Sequence, residues 1–242
     1  MMPPSVQLDP INSPYPVPWN WVMATLSESK LSESDRPAVA NSGVSDPKVR
    51  YYRSPSLVSP DGQYAAYSRI QVQLSRSLPQ SRVVSTLFLE NLTTGELQTV
   101  AATSPFADNP FVSDGMNQPG TIAILIPIAW SASSDRVLAR EFESIFGSDI
   151  ASDFAVVWER SSNRTYTIAP THVPYSNAVL LGWSQAHPDQ VLFRAGMIGN
   201  ENWLLYAVDV GGQTANANND RPVTYGQVVN SVWSGPQVGG RL

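Results

Sequence analysis

The chain has no cysteine. That excludes disulfides, Cys-ligated zinc, iron–sulfur clusters and thiol nucleophiles, and it fits a reducing compartment. Charge is also scarce: charged residues make up 14 % of the 242, against about a quarter in ordinary domains. Lysine is nearly missing, with only Lys30 and Lys48, and the arginines are scattered. A net charge of −5 without a basic stripe argues against nucleic acid as a partner, because a phosphate-backbone binder needs clustered cations. Long apolar runs are absent too. The longest, residues 122–130, contains Pro127 and is far too short to span a bilayer. No basic segment followed by an apolar core opens the sequence, so no signal peptide is expected. These absences predict a soluble, unexported chain with no integral membrane segment, cytoplasmic or else peripherally bound to a membrane complex.

What is present points to β structure. Hydrophobic residues reach 42 % and aromatics 10 %, enough to bury a sizeable core. Ser, Thr, Asn, Gln, Pro and Gly supply the rest, as a turn-rich β protein requires. Residues 1–26 form a proline-rich arm with Tyr15, Val17, Trp19, Trp21 and Val22 interleaved. Proline at this density favours extended backbone. Such an arm either straps onto its own domain or docks on a partner through Tyr15, Trp19 and Trp21. Asn20 is placed to cap a short helix through about Leu26. Residues 27–50 are polar and Ser-rich and predict a flexible linker. Residues 51–242 form the β domain.

Within that domain one unit recurs. Residues 57–70 read LVSPDGQYAAYSRI: strand, tight turn, strand. Pro60 presets φ at the first corner of the turn Ser59-Pro60-Asp61-Gly62, Asp61 tolerates the second, and Gly62 exits freely. Trp130-Ser131, Trp183-Ser184 and Trp233-Ser234 end later apolar runs in the same way. The serines stand about 72, 53 and 50 residues apart, in a class whose repeats run roughly 40–50. The first gap is stretched by a loop at 102–120.

The unit SLVSPDGQYAAYS resembles the WD40-like repeat of β-propellers of the TolB and dipeptidyl-peptidase N-domain kind. Each blade of that family opens with a strand ending in Trp-Ser-Pro-Asp-Gly. Here FLENLTTGELQTV, VVWERSSNRTYTI and LYAVDVGGQT fill the third-strand and hairpin slots. The resemblance covers roughly residues 51–234. The first unit keeps the SPDG turn and lacks the Trp; the later units keep Trp-Ser and lose Pro-Asp-Gly. It implies an all-β, incomplete or small propeller-like array of about three four-stranded blades plus a terminal strand, with the extended arm in front. Closed propellers usually need at least four blades, so an open edge must be covered. The arm or a partner is the expected cover; a terminal strand pairing with N-terminal strands would also close the ring.

Catalytic signals are thin. Gly182-Trp183-Ser184-Gln185-Ala186 is an imperfect G-x-S-x-G, without its last Gly or a following helix, and the repeat accounts for Trp183-Ser184. His172 and His187 stand next to turns without a metal-ligand partner at the right spacing. Asn91 and Asn163, which match the glycosylation pattern, are read as hairpin residues. Glu141, Glu143, Asp149 and Asp153 lack a calcium-loop pattern and predict a solvated acidic loop around Phe142 and Phe146. With Phe106, Phe111 and Met116 of the 102–120 loop, these aromatics are the expected contact surface. No catalytic, cofactor-binding or metal residue and no cofactor is assigned. The expectation is a non-enzymatic protein–protein interaction module, a scaffold, assembly factor or subunit of a larger complex. A small-ligand or glycan binder and an unrecognised hydrolase are the alternatives. The low-Lys style with its Gln and Pro resembles that of cyanobacterial proteins, which makes a photosynthetic complex a conceivable partner.

Overall fold

Ser59-Pro60-Asp61-Gly62 turns the chain between two antiparallel strands, as its residue types require. The computed structural model describes residues 9–34, 48–75, 77–107, 119–230 and 234–237. In blade 1, β1 (Lys48–Arg53) and β2 (Ser56–Val58) lie end to end against β3 (Tyr64–Leu74). Pro55 falls between them, where it removes no ladder donor from either strand. β4 (Arg82–Asn91) and β5 (Leu97–Val100) complete the meander. Blade 2 is β6 (Thr121–Trp130), β7 (Arg136–Ile145), β8 (Ala151–Glu159) and β9 (Arg164–Ile168). Blade 3 is β10 (Asn177–Ser184), β11 (Val191–Gly196), β12 (Leu204–Val208) and β13 (Thr214–Asn216). The fold is all-β, an open array of three four-stranded blades rather than a closed barrel.

Neighbouring blades meet through the same device twice. The third strand of one blade reaches the first strand of the next. Between blades 1 and 2, Val83 and Val84 pair in parallel with Ile122 and Ala123, and the Leu125 N–H donates to Ser85 Oγ at 2.5 Å. Between blades 2 and 3 side chains take over from backbone. The Ala178 N–H donates to Ser152 Oγ (3.1 Å) and the Leu180 N–H to Asp153 Oδ2 (2.9 Å). Ser85 and Asp153 thus occupy matching places.

The last segment is not a fourth blade. β14 (Pro222–Val223) pairs with β10, Tyr225 bridges Trp130 at the end of β6, β15 (Gln227–Val229) pairs with β2, and β16 (Gly235–Gln237) pairs with β1. One ribbon therefore crosses the first strand of every blade in turn. Gly226 allows the crossing: a Cβ there would stand 3.0 Å from Trp130 Cδ1 and from the Val58 carbonyl, and its φ is +111°. Of the expected covers for the open edge, neither the arm nor a partner supplies these ladders. The chain's own C-terminal strands do, by the terminal-strand pairing that was the other expectation, because β15 and β16 pair with β2 and β1.

The arm belongs to the core. Val17, Val22 and Leu26 are buried in the main cluster with Ile70, Phe142, Leu180 and Phe193, and each such side chain contributes about 1.5–3 kcal/mol by burial. The helix α1 (Trp19–Ser34) starts after Pro18, whose carbonyl accepts from the Val22 N–H at 3.1 Å. Asn20 lies inside its first turn rather than capping it. The helix also continues past Leu26, where a linker was expected. Leu, Glu and Lys at 26, 28, 30 and 31 are good helix formers, and the Ser-rich composition obscured them. The last three residues of the expected linker belong to β1.

Candidate functional site

The site is built on how the arm is held. Arg140 of β7 is wholly buried. Its Nε donates to Asp153 Oδ1 at 2.7 Å, and its guanidinium grips Asp9 through Nη1 (2.6 Å) and Nη2 (3.1 Å). Nη1 also donates to the Tyr15 carbonyl at 2.6 Å. Asp9 in turn accepts from the N–H groups of Ile11, Ser13 and Val17, each at 3.2 Å. Burial pushes the Asp9 carboxyl up, but Arg140 and these N–H groups hold it below its ordinary value. Burial pushes Asp153 up despite Arg140. Tyr15 donates its hydroxyl to the Leu181 carbonyl at 2.9 Å, and burial raises that hydroxyl's pKa to about 12. Trp19 stands edge-on to Phe142 with centroids 6.3 Å apart, and Trp21 packs on Tyr52 at 5.2 Å.

This arrangement leaves a cleft of about 470 Å³ between three walls. The arm contributes Pro10, Ile11 and Trp19. The β7–β8 hairpin contributes Phe146 and Asp149, and the loop between β11 and β12 contributes Ile198 and Trp203. Ile122 and Asn177 lie among the remaining lining residues. Trp203 is seated over Gly196, where a Cβ would come within 2.6 Å of the indole Cδ1. The polar side chains of the lining are largely engaged already. Ser144 Oγ donates to the Ile150 carbonyl (2.8 Å), Ser148 Oγ to the Ile145 carbonyl (3.0 Å), and Asn177 Nδ2 to the Ala151 carbonyl (2.6 Å). Ile198 of the lining is 56 % exposed, and Ile150, Met197 and Leu204, each next in sequence to a lining residue, are exposed as well.

The cleft brings together two of the expected contact residues, Trp19 and Phe146. Tyr15 and Trp21 are packed against the core. Phe142 is wholly buried, so it offers no contact surface: it alternates inward on β7, behind Trp19. The acidic run is not a solvated loop. Glu141, Glu143 and Asp153 lie on strands and are buried, and only Asp149 is exposed in the hairpin. Glu141 Oε2 has no hydrogen-bond partner among the described residues, and its pKa is driven well up by burial and by Glu143 and Asp153. Phe106 is half-buried and donates its N–H to Glu143 Oε1 at 2.8 Å. Phe111, Met116 and Trp233 lie outside the described residues. In the sequence Trp203 reads as the start of a strand and Ile198 carries no motif. Trp203 instead lies in the loop before β12, where an indole near the Gly199-Asn200 turn is the signal that marks it.

The serine anchors share one geometry. The Ser59 N–H donates to the Tyr64 carbonyl (2.9 Å), that of Ser131 to Arg136 (2.8 Å) and that of Ser184 to Gln190 (2.9 Å). Ser59 Oγ donates to Asp61 and Ser131 Oγ to Asp135, both at 2.6 Å, while Ser184 Oγ donates to Asp220. Pro60 and Gly62 shape the first of these turns. Trp130 and Trp183 are buried beside the serines, with Trp130 Nε1 donating to the Leu57 carbonyl at 2.9 Å. Ser184 is buried with its proton committed to a carboxylate, and it accepts from the backbone N–H of His187, not from its ring. Gly182 sits at a register shift in β10 rather than at a strand-to-helix elbow. His172 and His187 lie in loops, and no metal-holding group of His, Asp and Glu occurs among the described residues. Nor does any described helix have the length and apolarity to cross a membrane. Ser234 lies just before β16.

No family model matches the chain, and no curated protein matches it. Among solved structures, a Bacteroides ovatus protein assigned as a dipeptidyl aminopeptidase IV is similar at 12 % identity, with a TM-score of 0.38. The match covers 78 % of this chain and 29 % of that one, so the chain spans under a third of that protein's length, and at that distance the likeness assigns no activity.

Proposed function

We propose that the chain is a non-enzymatic interaction module, a scaffold or subunit of a larger assembly, and that it engages its partner at the rim cleft. The observation that carries this reading is an aromatic-lined cleft with the exposed Ile198 in its lining, whose wall segments also carry the exposed Ile150, Met197 and Leu204. Exposed apolar groups gathered at a concavity mark interaction sites. The arm then serves as a wall of the site, held by Arg140, rather than as a free docking tail. Residence in the cytoplasm or against a membrane-bound assembly, a photosynthetic complex as partner, and kinship with the TolB-type WD40-like repeat belong to the same proposal and rest on composition and the SPDG turn.

The test is native mass spectrometry of the full chain purified from its own host, wild type against Trp203→Ala and Ile198→Asp. Both variants are expected to keep the wild-type circular dichroism spectrum and to lose the co-purifying partner. Retention of the partner by both variants would sink the reading. A small-ligand site is the second reading, favoured by a cleft volume within the roughly 300–1,000 Å³ of ligand pockets. A thermal-shift screen separates the two.

A further inference from the structure

We propose that the rim cleft takes a cationic segment of the partner protein, a lysine or arginine side chain with an apolar residue beside it. This rests on the interaction-module reading above. Trp19, Phe146 and Trp203 line the cleft, and aromatic rings attract an ammonium or guanidinium held within about 6 Å of a ring face. The charged residue of the lining is Asp149, which is exposed and has no cationic partner among the described residues. Glu201, also exposed, stands in the same loop as Ile198 and Trp203. Charge complementarity therefore selects a cation.

The other polar groups do not compete for that role. Ser144, Ser148 and Asn177 each donate to a carbonyl of the protein itself. An acidic segment would meet like charge at Asp149. A purely apolar one would cover Asp149 without giving it a partner, and an unpaired carboxylate is costly to cover. A basic side chain satisfies Asp149 while its methylene stem lies along the rings, and the adjacent apolar residue covers Ile198.

The experiment titrates the full chain with two peptides, acetyl-Leu-Arg-Phe-Leu-amide and acetyl-Leu-Glu-Phe-Leu-amide, and reads indole fluorescence at low and high salt. The Arg peptide is expected to bind more tightly, by about tenfold, and to weaken as salt rises. Asp149→Asn should lower its affinity about two- to fivefold, and Trp203→Ala should weaken binding and shrink the fluorescence response, with Trp19 left to report it. Equal affinity for the two peptides, or an unchanged affinity in Asp149→Asn, overturns the proposal. Agmatine is a third probe: binding as tight as the Arg peptide reassigns the site to a free organic cation and overturns the partner segment. Native pull-downs distinguish this failure from that of the module reading. A partner lost in Trp203→Ala but kept in full by Asp149→Asn refutes the cationic chemistry alone. A partner kept by both, and by Ile198→Asp, refutes the module at this cleft.

Discussion

Burying a carboxyl without a partner is expensive, and Glu141 does so on the middle strand pair of blade 2. Burial first, then Glu143 on the same face of β7 and Asp153 on β8, raise its folded-state pKa. The folded chain therefore holds a proton that the unfolded chain releases. Stability is fully present below the ordinary carboxylate range and falls as pH rises toward the raised value, by about 1.4 kcal/mol per unit of difference. Urea melts from acid to mildly alkaline pH should show this decline, and Glu141→Gln should flatten it; an equally steep decline in the variant would reject the assignment. Arg140 is the opposite case, a buried cation shared by two carboxylates. Arg140→Ala strands Asp9 and Asp153 and should cost about 3–5 kcal/mol by denaturant melts, with limited proteolysis newly cutting the arm. Neither role was legible in the sequence. Residues 140–143 read as charge next to a Phe, and a short run does not say that both faces of its strand are covered. The partner of Arg140, Asp9, stands far away in a segment that reads as a proline-rich tail.

Among the elements, the serine turns were the most legible, because local residue types determine them. Ser59 and Ser131 find their carboxylates within four residues, at Asp61 and Asp135. Ser184 finds Asp220 from another segment, which no spacing rule announces. Asp220→Ala should therefore destabilise blade 3 by about 1–2 kcal/mol, as loss of a hydrogen bond to a charged group does. It should also loosen the start of the C-terminal ribbon, seen as faster exchange of the Val223 amide, whereas Asp61→Ala should leave that amide unchanged. The helix was half legible. Its start follows Pro18, but its far half was hidden by serines that read as linker.

At the scale of the whole molecule, the fourth Trp-Ser was visible as a repeat, yet nothing local says that the segment around it would serve three blades at once. Pairing partners far apart in sequence are set by the completed fold. Gly226→Val is the milder test of this closure: its side chain meets Trp130 and the Val58 carbonyl and should lower the melting temperature. Removing residues 222–237 should do more, leaving β1, β2 and β10 with bare edges and producing soluble oligomers by light scattering. The ribbon also bears on how the protein is made. β1 and β2 leave the ribosome early, and the strands that complete their ladders, β16 and β15, follow all three blades. Until they arrive, the nascent chain carries unfinished strand edges open to pairing with a neighbouring nascent chain, so its yield in cells is expected to fall as its own polysome becomes more crowded.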